Sequence, residues 1–460
     1  MRLKLDENLG ERCNFFVDRS PLWRYLNDAM VADDIKFIDS SQLPSTWKTA
    51  PRGWGHPLHK LSQYIGQFPP SLAHFFIRQY SQPGQIVFDP FSGGGTTALE
   101  SLLAGREAYA NDAFNYACTL SRAKARPMGL RDFERYLKRK LKEAESMPGN
   151  LALLDDPNLL VFYSEKTLDE ILRLRAALVA DNSDEAVFLK GVMCGILHGP
   201  SNMFLSLSMK DTVSSTPAYV ERYVREHGLI KPERSVFECA MNKATRCLSA
   251  GIPDRKGTIL KGDARSVDLP DERVDFILTS PPYLSVLDYS WNNWLRVWWL
   301  GDDRKAEQQK LMRSGVESTY RHFMREVCRE MFRLLKPNAA CVIVVGDVKK
   351  ALTNRTVKLI NSALLIAEEA REVGFEVDGI INDTYKLHNR PMLVFNSLKW
   401  EYDAHEHSER SSVLIDRILL LRKGRVGANS FRVDWHNYST AGEQLLLLEK
   451  GAPYRASRGA

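Results

Sequence analysis

Apolar residues along the chain fall into two patterns that alternate. Short continuous runs at 86–88, 107–111, 258–260, 274–279 and 340–345 have the length and composition of buried strands. Between them, apolar residues recur three and four apart, which predicts helices over 71–80 (Leu72, Phe75 and Phe76 on one face), 97–104, 320–335 and 357–373. Gly105 stands where a helix C-terminal glycine belongs. Two late runs, 375–381 and 413–421, read as an antiparallel pair at a sheet edge. From about 120 to 255 the strand signal gives way to helical periodicity, as in Leu168, Ile171, Leu172 and in Phe188, Val192, Ile196, over a length too great for a loop. Strands alternating with helices predict a doubly wound, Rossmann-like α/β sheet with a large helical insertion.

The pattern divides the chain into an N-terminal segment 1–55, a catalytic domain built from 56–120 and 256–425, an insertion 121–255 and a polar tail 426–460. Residues 40–55 are rich in Pro, Ser, Thr and Gly and read as an irregular connection. A chain of 460 residues, 44% hydrophobic and 26% charged, has the composition of a folded protein. No apolar run approaches the roughly 18 residues of a membrane span, and the first residues lack a signal-peptide stretch, so a cytoplasmic protein is expected. Seven cysteines, never spaced C-x-x-C, argue against a disulfide framework and against a zinc site. The net charge of +6 is compatible with a nucleic-acid partner without establishing one.

Asp89, Asp112, Asp263 and Ser280 all fall at predicted strand ends, where doubly wound sheets bind their ligands. The first strand runs into Asp89-Pro90-Phe91-Ser92-Gly93-Gly94-Gly95-Thr96-Thr97. The glycines let backbone approach a ligand closely. Asp112, 23 residues beyond Asp89, is placed to accept hydrogen bonds from ribose hydroxyls. The string is not G-x-G-x-x-G, and the absence of a Lys after the glycines excludes a P-loop. On these residues alone a dinucleotide site and a glycine turn without ligand both stay open.

The same string resembles the S-adenosylmethionine-binding motif of DNA amino-methyltransferases, the N4-cytosine and N6-adenine enzymes. The resemblance implies that Asp89, Phe91, Gly93 and Gly95, with Pro90 and Thr96 in the same turn, surround the methionine part of that cofactor. It implies further that Asp112 holds the ribose and that Asp263 meets the adenine amino group. Residues 59–70, with Phe68 and Pro70, are similar to the family's segment that packs against the methionine end.

Strand 274–279 closes in Ser280-Pro281-Pro282-Tyr283, which resembles the family's catalytic loop. An exocyclic amine is a poor nucleophile because its lone pair is delocalised into the ring. The Ser280 hydroxyl and Pro281 carbonyl are suitable acceptors for the amine protons, and the two prolines stiffen the loop that aims them. Tyr283 offers a flat face for a base flipped out of double-stranded DNA. Serine in first position is more similar to the N4-cytosine enzymes, whereas N6-adenine enzymes more often carry Asp or Asn. No Pro-Cys dipeptide occurs, which argues against cytosine C5 methylation. The expected activity is site-specific transfer to N4 of cytosine, with no metal required. N6-adenine methylation, RNA base methylation and a non-catalytic cofactor- or DNA-binding subunit are the alternatives. A restriction or defence partner would carry any cleavage activity, target recognition is expected in 121–255, and the oligomeric state stays open.

Three further features have two readings each. Trp291, Trp294, Leu295 and Trp298 share one face of a predicted helix, which reads as core or as a stacking surface, while Asp288 and Tyr289 are better placed to line the pocket. Basic residues from Arg122 to Lys142, interleaved with Glu134, Glu143 and Glu145, read as phosphate contacts or as a solvated helix face, and Arg422 to Arg425 likewise. Asp403, His405 and His407 can be drawn as metal ligands, but amino-methyl transfer needs none.

Overall fold

The computed structural model describes residues 35–39, 47, 50, 54–149, 151–209, 216–284, 288–351, 357–386 and 413–424. Ten strands lie among them: β1 (Phe37–Asp39), β2 (Ile86–Asp89), β3 (Glu107–Asp112), β4 (Thr258–Lys261), β5 (Val274–Thr279), β6 (Leu335–Gly346), β7 (Val348–Ala351), β8 (Val357–Ile360), β9 (Phe375–Lys386) and β10 (Val413–Lys423). Eight form one sheet in the order β1-β9-β10-β6-β5-β2-β3-β4. Every neighbouring pair is parallel except those of β10, which runs antiparallel to β6 and to β9. The predicted doubly wound sheet is thus present, and the antiparallel pair sits just inside its edge, covered by β1.

The period-2 alternation of each strand separates two cores. Cys341, Ile343 and Val345 face α12 (Glu317–Leu334) and α13 (Ser362–Val373), whereas Val342 and Val344 join Phe75, Phe76 and Trp47 under α1 (Pro70–Tyr80). α2 (Thr96–Leu103) follows β2 directly. A third core lies in a helical layer made of α3 (Asn115–Ala125), α4 (Leu130–Glu145), α5 (Glu165–Leu178), α6 (Asp184–Cys194), α7 (Pro217–His227) and α8 (Val236–Cys247). It is completed by Leu295, Val297 and Trp298 of α10 (Trp294–Leu300), which follows the short α9 (Tyr289–Asn292) and precedes α11 (Arg304–Gln309).

Two predicted elements differ. Residues 357–360, expected to open a helix, form β8 against β7, and the helix begins only at Ser362, with Asn361 accepting a hydrogen bond from Leu364 N as its cap. Val357 and Leu359 fit the strand period and Val357 and Ile360 the helical one, and pairing with β7 decides between them. The strand expected at 340 begins five residues earlier. Its register with β5 jumps from Val274–Leu335 to Phe276–Ala340, so residues 336–339 bulge, with Asn338 at φ 62°. Pro337 sits in that bulge, where a missing N–H costs no ladder bond.

Candidate active site

β2 and β5 are adjacent and parallel, so the glycine loop after one and the Ser-Pro-Pro-Tyr loop after the other leave the sheet side by side. The contact is direct. Thr279 Oγ1 donates to Asp89 Oδ1 at 2.6 Å, and Thr97 Oγ1 donates to the Leu278 carbonyl at 3.1 Å. Both loops line one cleft of about 310 Å³, within the roughly 300–1,000 Å³ of small-molecule sites. Of the residues singled out in sequence, Phe68, Pro90, Phe91, Gly93, Thr96, Asp112, Asp263 and all of Ser280, Pro281, Pro282 and Tyr283 line it. Asp89, Gly95 and Pro70 do not: Asp89 is buried behind the loop, Gly95 precedes α2, and Pro70 is the first residue of α1.

The glycines have a second use that the sequence reading did not assign. A Cβ on Gly93 would meet the Tyr64 ring at 2.9 Å, and one on Gly94 would meet the Gln67 amide. Gly95 has φ 73°, and a Cβ there would lie 2.8 Å from the Ser121 Cα on α3. Close approach by protein backbone and side chains, as well as by ligand, therefore requires glycine here.

Asp112 Oδ2 accepts from Gly93 N and Oδ1 from Phe114 N, both at 2.9 Å. No Lys or Arg pairs with it among the described residues. Burial, reinforced by the charge of Asp89, pushes its carboxyl up to about 7 against those backbone hydrogen bonds. Asp89 is likewise raised by burial, to about 6, while the Thr279 and Phe91 hydrogen bonds oppose the shift. Asp263 is placed differently. Its carboxylate is engaged by Arg265 through Nε and NH2, the latter at 2.6 Å, and Arg265 reaches on to Glu326 on α12 at 3.0 Å. An adenine amino group would share that carboxylate with Arg265.

In the Ser-Pro-Pro-Tyr loop, the Tyr320 hydroxyl on α12 donates to the Pro282 carbonyl at 3.0 Å and fixes the second proline. Burial pushes the Tyr283 hydroxyl up, Asp416 adds to the push, and a hydrogen bond with Ser280 opposes it. Tyr289 lines the cleft and stacks on Tyr64 with ring centroids 6.2 Å apart. Asp288 instead caps α9 through Trp291 N and pairs with Arg313.

The aromatic stripe divides. Leu295 and Trp298 are buried in the helical core, Trp294 is half-buried, and Trp291 is 39% exposed with Arg304 over its ring at 4.1 Å. A break at Asn293 between α9 and α10 turns Trp291 away from the others. Most of the basic residues between Arg122 and Lys142 are paired, Arg122 and Arg126 with Asp184 and Lys138 with Glu134, as in a solvated face, and Lys124 is the buried exception. Arg422 pairs with Asp378 and Lys423 with Glu272. Asp403, His405, His407 and the tail from Arg425 lie outside the described residues. Tyr64 and Gln67, within the segment 59–70 but not singled out, also line the cleft, as do two residues that sequence reasoning missed, His322 and Phe323. The last two sit on an amphipathic helix with no motif to mark them.

The cleft suits the expected cofactor on two observations. Asp112 is a buried carboxylate with unused lone pairs and, among the described residues, no cation beside it. Thr96 Oγ1, lining the same cleft, is buried with no hydrogen-bond partner among those residues. Both are fit to bind the hydroxyl and amino donors of a nucleoside amino acid.

A mostly parallel α/β sheet with a glycine loop and an acidic strand end opening on one cleft is the Rossmann-like arrangement that holds a nucleoside-containing cofactor. The chain belongs to the DNA methylase family of N6 and N4 methyltransferases, whose model matches residues 21–122 and 274–456, more than half of its length. The two matched parts hold the glycine loop and the Ser-Pro-Pro-Tyr loop and leave out 123–273. The cofactor is S-adenosylmethionine and the reaction class is methyl transfer. The Type II methyltransferase M.MjaII of Methanocaldococcus jannaschii is 22% identical over 391 residues, 64% of this chain and 72% of that protein. Among solved structures, TrmN from Thermus thermophilus is similar at 13% identity and TM-score 0.30, over 80% of this chain and 52% of its own. A second Thermus thermophilus protein, a candidate DNA modification methylase complexed with S-adenosyl-L-methionine, is 24% identical with TM-score 0.22, over 37% of this chain and 55% of its own. The chain spans about half the length of these two solved proteins. Among the described residues no helix is long and apolar enough to cross a membrane.

Proposed function

We propose that the chain transfers a methyl group to N4 of cytosine in double-stranded DNA, the target base being flipped into the cleft beside Ser280. The observation that supports this most is the 2.6 Å bond between Thr279 and Asp89, which holds the Ser280–Tyr283 loop against the glycine loop in one cleft. Asp112 is assigned the ribose hydroxyls and Thr96 the amino-acid end. Asp263, shared with Arg265, is assigned the adenine. S-adenosylmethionine supplies an electrophilic methyl group on a sulfonium when bound. Ser280 Oγ and the Pro281 carbonyl accept hydrogen bonds from the target amine and direct its lone pair out of the ring plane, the amine loses one proton to solvent as it gains the methyl group, and Tyr283 stacks on the base. Tyr320 keeps this corner rigid through Pro282, so the acceptors are aimed before the substrate arrives. The helical layer at 121–255 is the assigned target-recognition region, and a Type II modification role in a restriction system accords with the Methanocaldococcus jannaschii relative.

Nucleoside analysis of DNA treated with the protein and cofactor tests the reading. N4-methylcytosine is the expected product; N6-methyladenine would move the specificity to the other amino base, and no methylated nucleoside would refute the assignment. Ser280→Ala should lower turnover by roughly 10²-fold or more while cofactor affinity is retained. Unchanged turnover would remove Ser280 from the chemistry.

A further inference from the structure

Lys124, read in sequence as one of a run of basic surface residues, is 0% exposed. It lies in the last turn of α3, and its ammonium reaches inward between two strips of backbone. It donates to the Gly94 carbonyl in the glycine loop and to the His59 carbonyl, 3.3 Å away, in the 3₁₀ turn Pro57–Lys60. No carboxylate pairs with it among the described residues. Burial pushes its ammonium down to about 7, with Cys247 opposing and Lys243 adding to the shift. Such a group is expensive to bury, and apolar packing alone would be better served by Leu or Met.

What Lys124 joins gives the burial a purpose. The His59 segment runs on into Tyr64, Gln67 and Phe68, one wall of the cleft, and Gly94 packs directly against that wall, where a Cβ would meet Gln67 and Tyr64. The side chain of His59 is fastened separately, through Nε2 to Glu100 on α2 at 2.7 Å, and Lys243 on α8 holds the next carbonyl, Lys60, at 2.7 Å. Lys243 is not bonded to the glycine loop. Lys124 therefore bonds the backbone of both segments, whereas the Glu100 bond reaches only the helix after the glycine loop and Lys243 only the turn.

We propose that Lys124 is a positioning residue for the methyl donor, stapling the glycine loop to the Tyr64–Phe68 wall and so setting the width of the cofactor end of the cleft. The proposal rests on the reading that this cleft binds S-adenosylmethionine. It makes the helical layer, through α3, part of the cofactor site without contact with the cofactor.

The test compares Lys124→Met with Lys243→Met, a matched control that removes a neighbouring ammonium bound to the same turn. Affinity for S-adenosylhomocysteine is measured by calorimetry, amide hydrogen exchange at residues 93–96 in the cofactor-free chain, and initial rates at saturating cofactor. Lys124→Met should weaken binding roughly ten-fold, the order expected for one charge-assisted hydrogen bond. Exchange at 93–96 should speed up, and kcat at saturating cofactor should stay within about two-fold of the wild type, so that KM for the cofactor carries the loss. Lys243→Met should leave affinity unchanged. Lys124→Gln, which keeps a donor without the charge, should fall between wild type and Met and decides the matter if the Met variant does not fold. Wild-type affinity in a folded Lys124 variant overturns the proposal, as does an equal loss in the Lys243 control, which would assign the effect to packing of the turn. Failure of the wild type itself to bind S-adenosylhomocysteine would instead refute the cofactor assignment of the cleft.

Discussion

Asp112 shows how much one side chain's surroundings alter its chemistry. An aspartate at a strand end is ordinarily ionised well below neutrality, yet burial without a cation raises this one to about 7. In the unfolded chain its carboxyl returns to the ordinary 3.8, so between about pH 4 and 7 the folded cofactor-free protein binds a proton that the unfolded chain has lost. Stability contributed at this position therefore falls as pH rises through that window. Asp112→Asn cannot titrate, so the difference in urea midpoint between variant and wild type should shift in the variant's favour from pH 4 to pH 7. A difference that stays flat would contradict the assigned burial. Measuring the difference removes the contributions of His56 and His59, whose lowered values act in the opposite sense. The same substitution should cost cofactor affinity at pH 8, because an amide nitrogen cannot accept from a ribose hydroxyl.

Elements in this chain are pinned by few but deeply buried polar pairs. Arg417 on β10 and Asp347, which follows β6, are each 1% exposed and joined through Nε and NH2, the latter at 2.8 Å. Arg417 also bonds Asn382 on β9, so one guanidinium ties three strands at the end of the sheet where Gly346 faces Tyr283. Arg417→Met should destabilise the protein by about 3–5 kcal/mol, since it leaves Asp347 without the guanidinium in a dry site. Chemical denaturation measures this, and a loss below about 1 kcal/mol would show that water or another group satisfies Asp347. Nothing in the local pattern of Val413 to Lys423 announces the pair, because an arginine inside an apolar strand has the same sequence signature whether it meets a carboxylate or solvent. The pattern did announce the strand itself, as it did Val274–Thr279. Three-residue β1 was illegible for the opposite reason: it is too short to show a period.

Across the whole molecule, 190 positions separate the two ends of the bond that unites the site, Thr279 to Asp89. The helical layer occupies most of that interval, and the sheet closes it by placing β2 beside β5. Thr279→Val keeps the shape and removes the link. It should lower stability by about 1–2 kcal/mol, because Asp89 loses its short hydrogen bond in a buried setting. It should lower kcat more than cofactor affinity, because Asp112 and Thr96 are untouched. Equal rates in wild type and variant would show that the loops hold their spacing without the bond.

Strand and helix periods, the glycine loop and the Ser-Pro-Pro-Tyr corner were legible in order along the chain, because steric preference and the burial of one face act between near neighbours. Side-chain destinations were not. Lys124 looked like surface and is core, Asp263 looked available and is engaged by Arg265, and the glycines looked reserved for ligand and also admit Tyr64, Gln67 and α3. Those outcomes depend on which distant segments pack together. Folding settles that through contacts between residues far apart in the chain, which carry no local periodicity to be read beforehand.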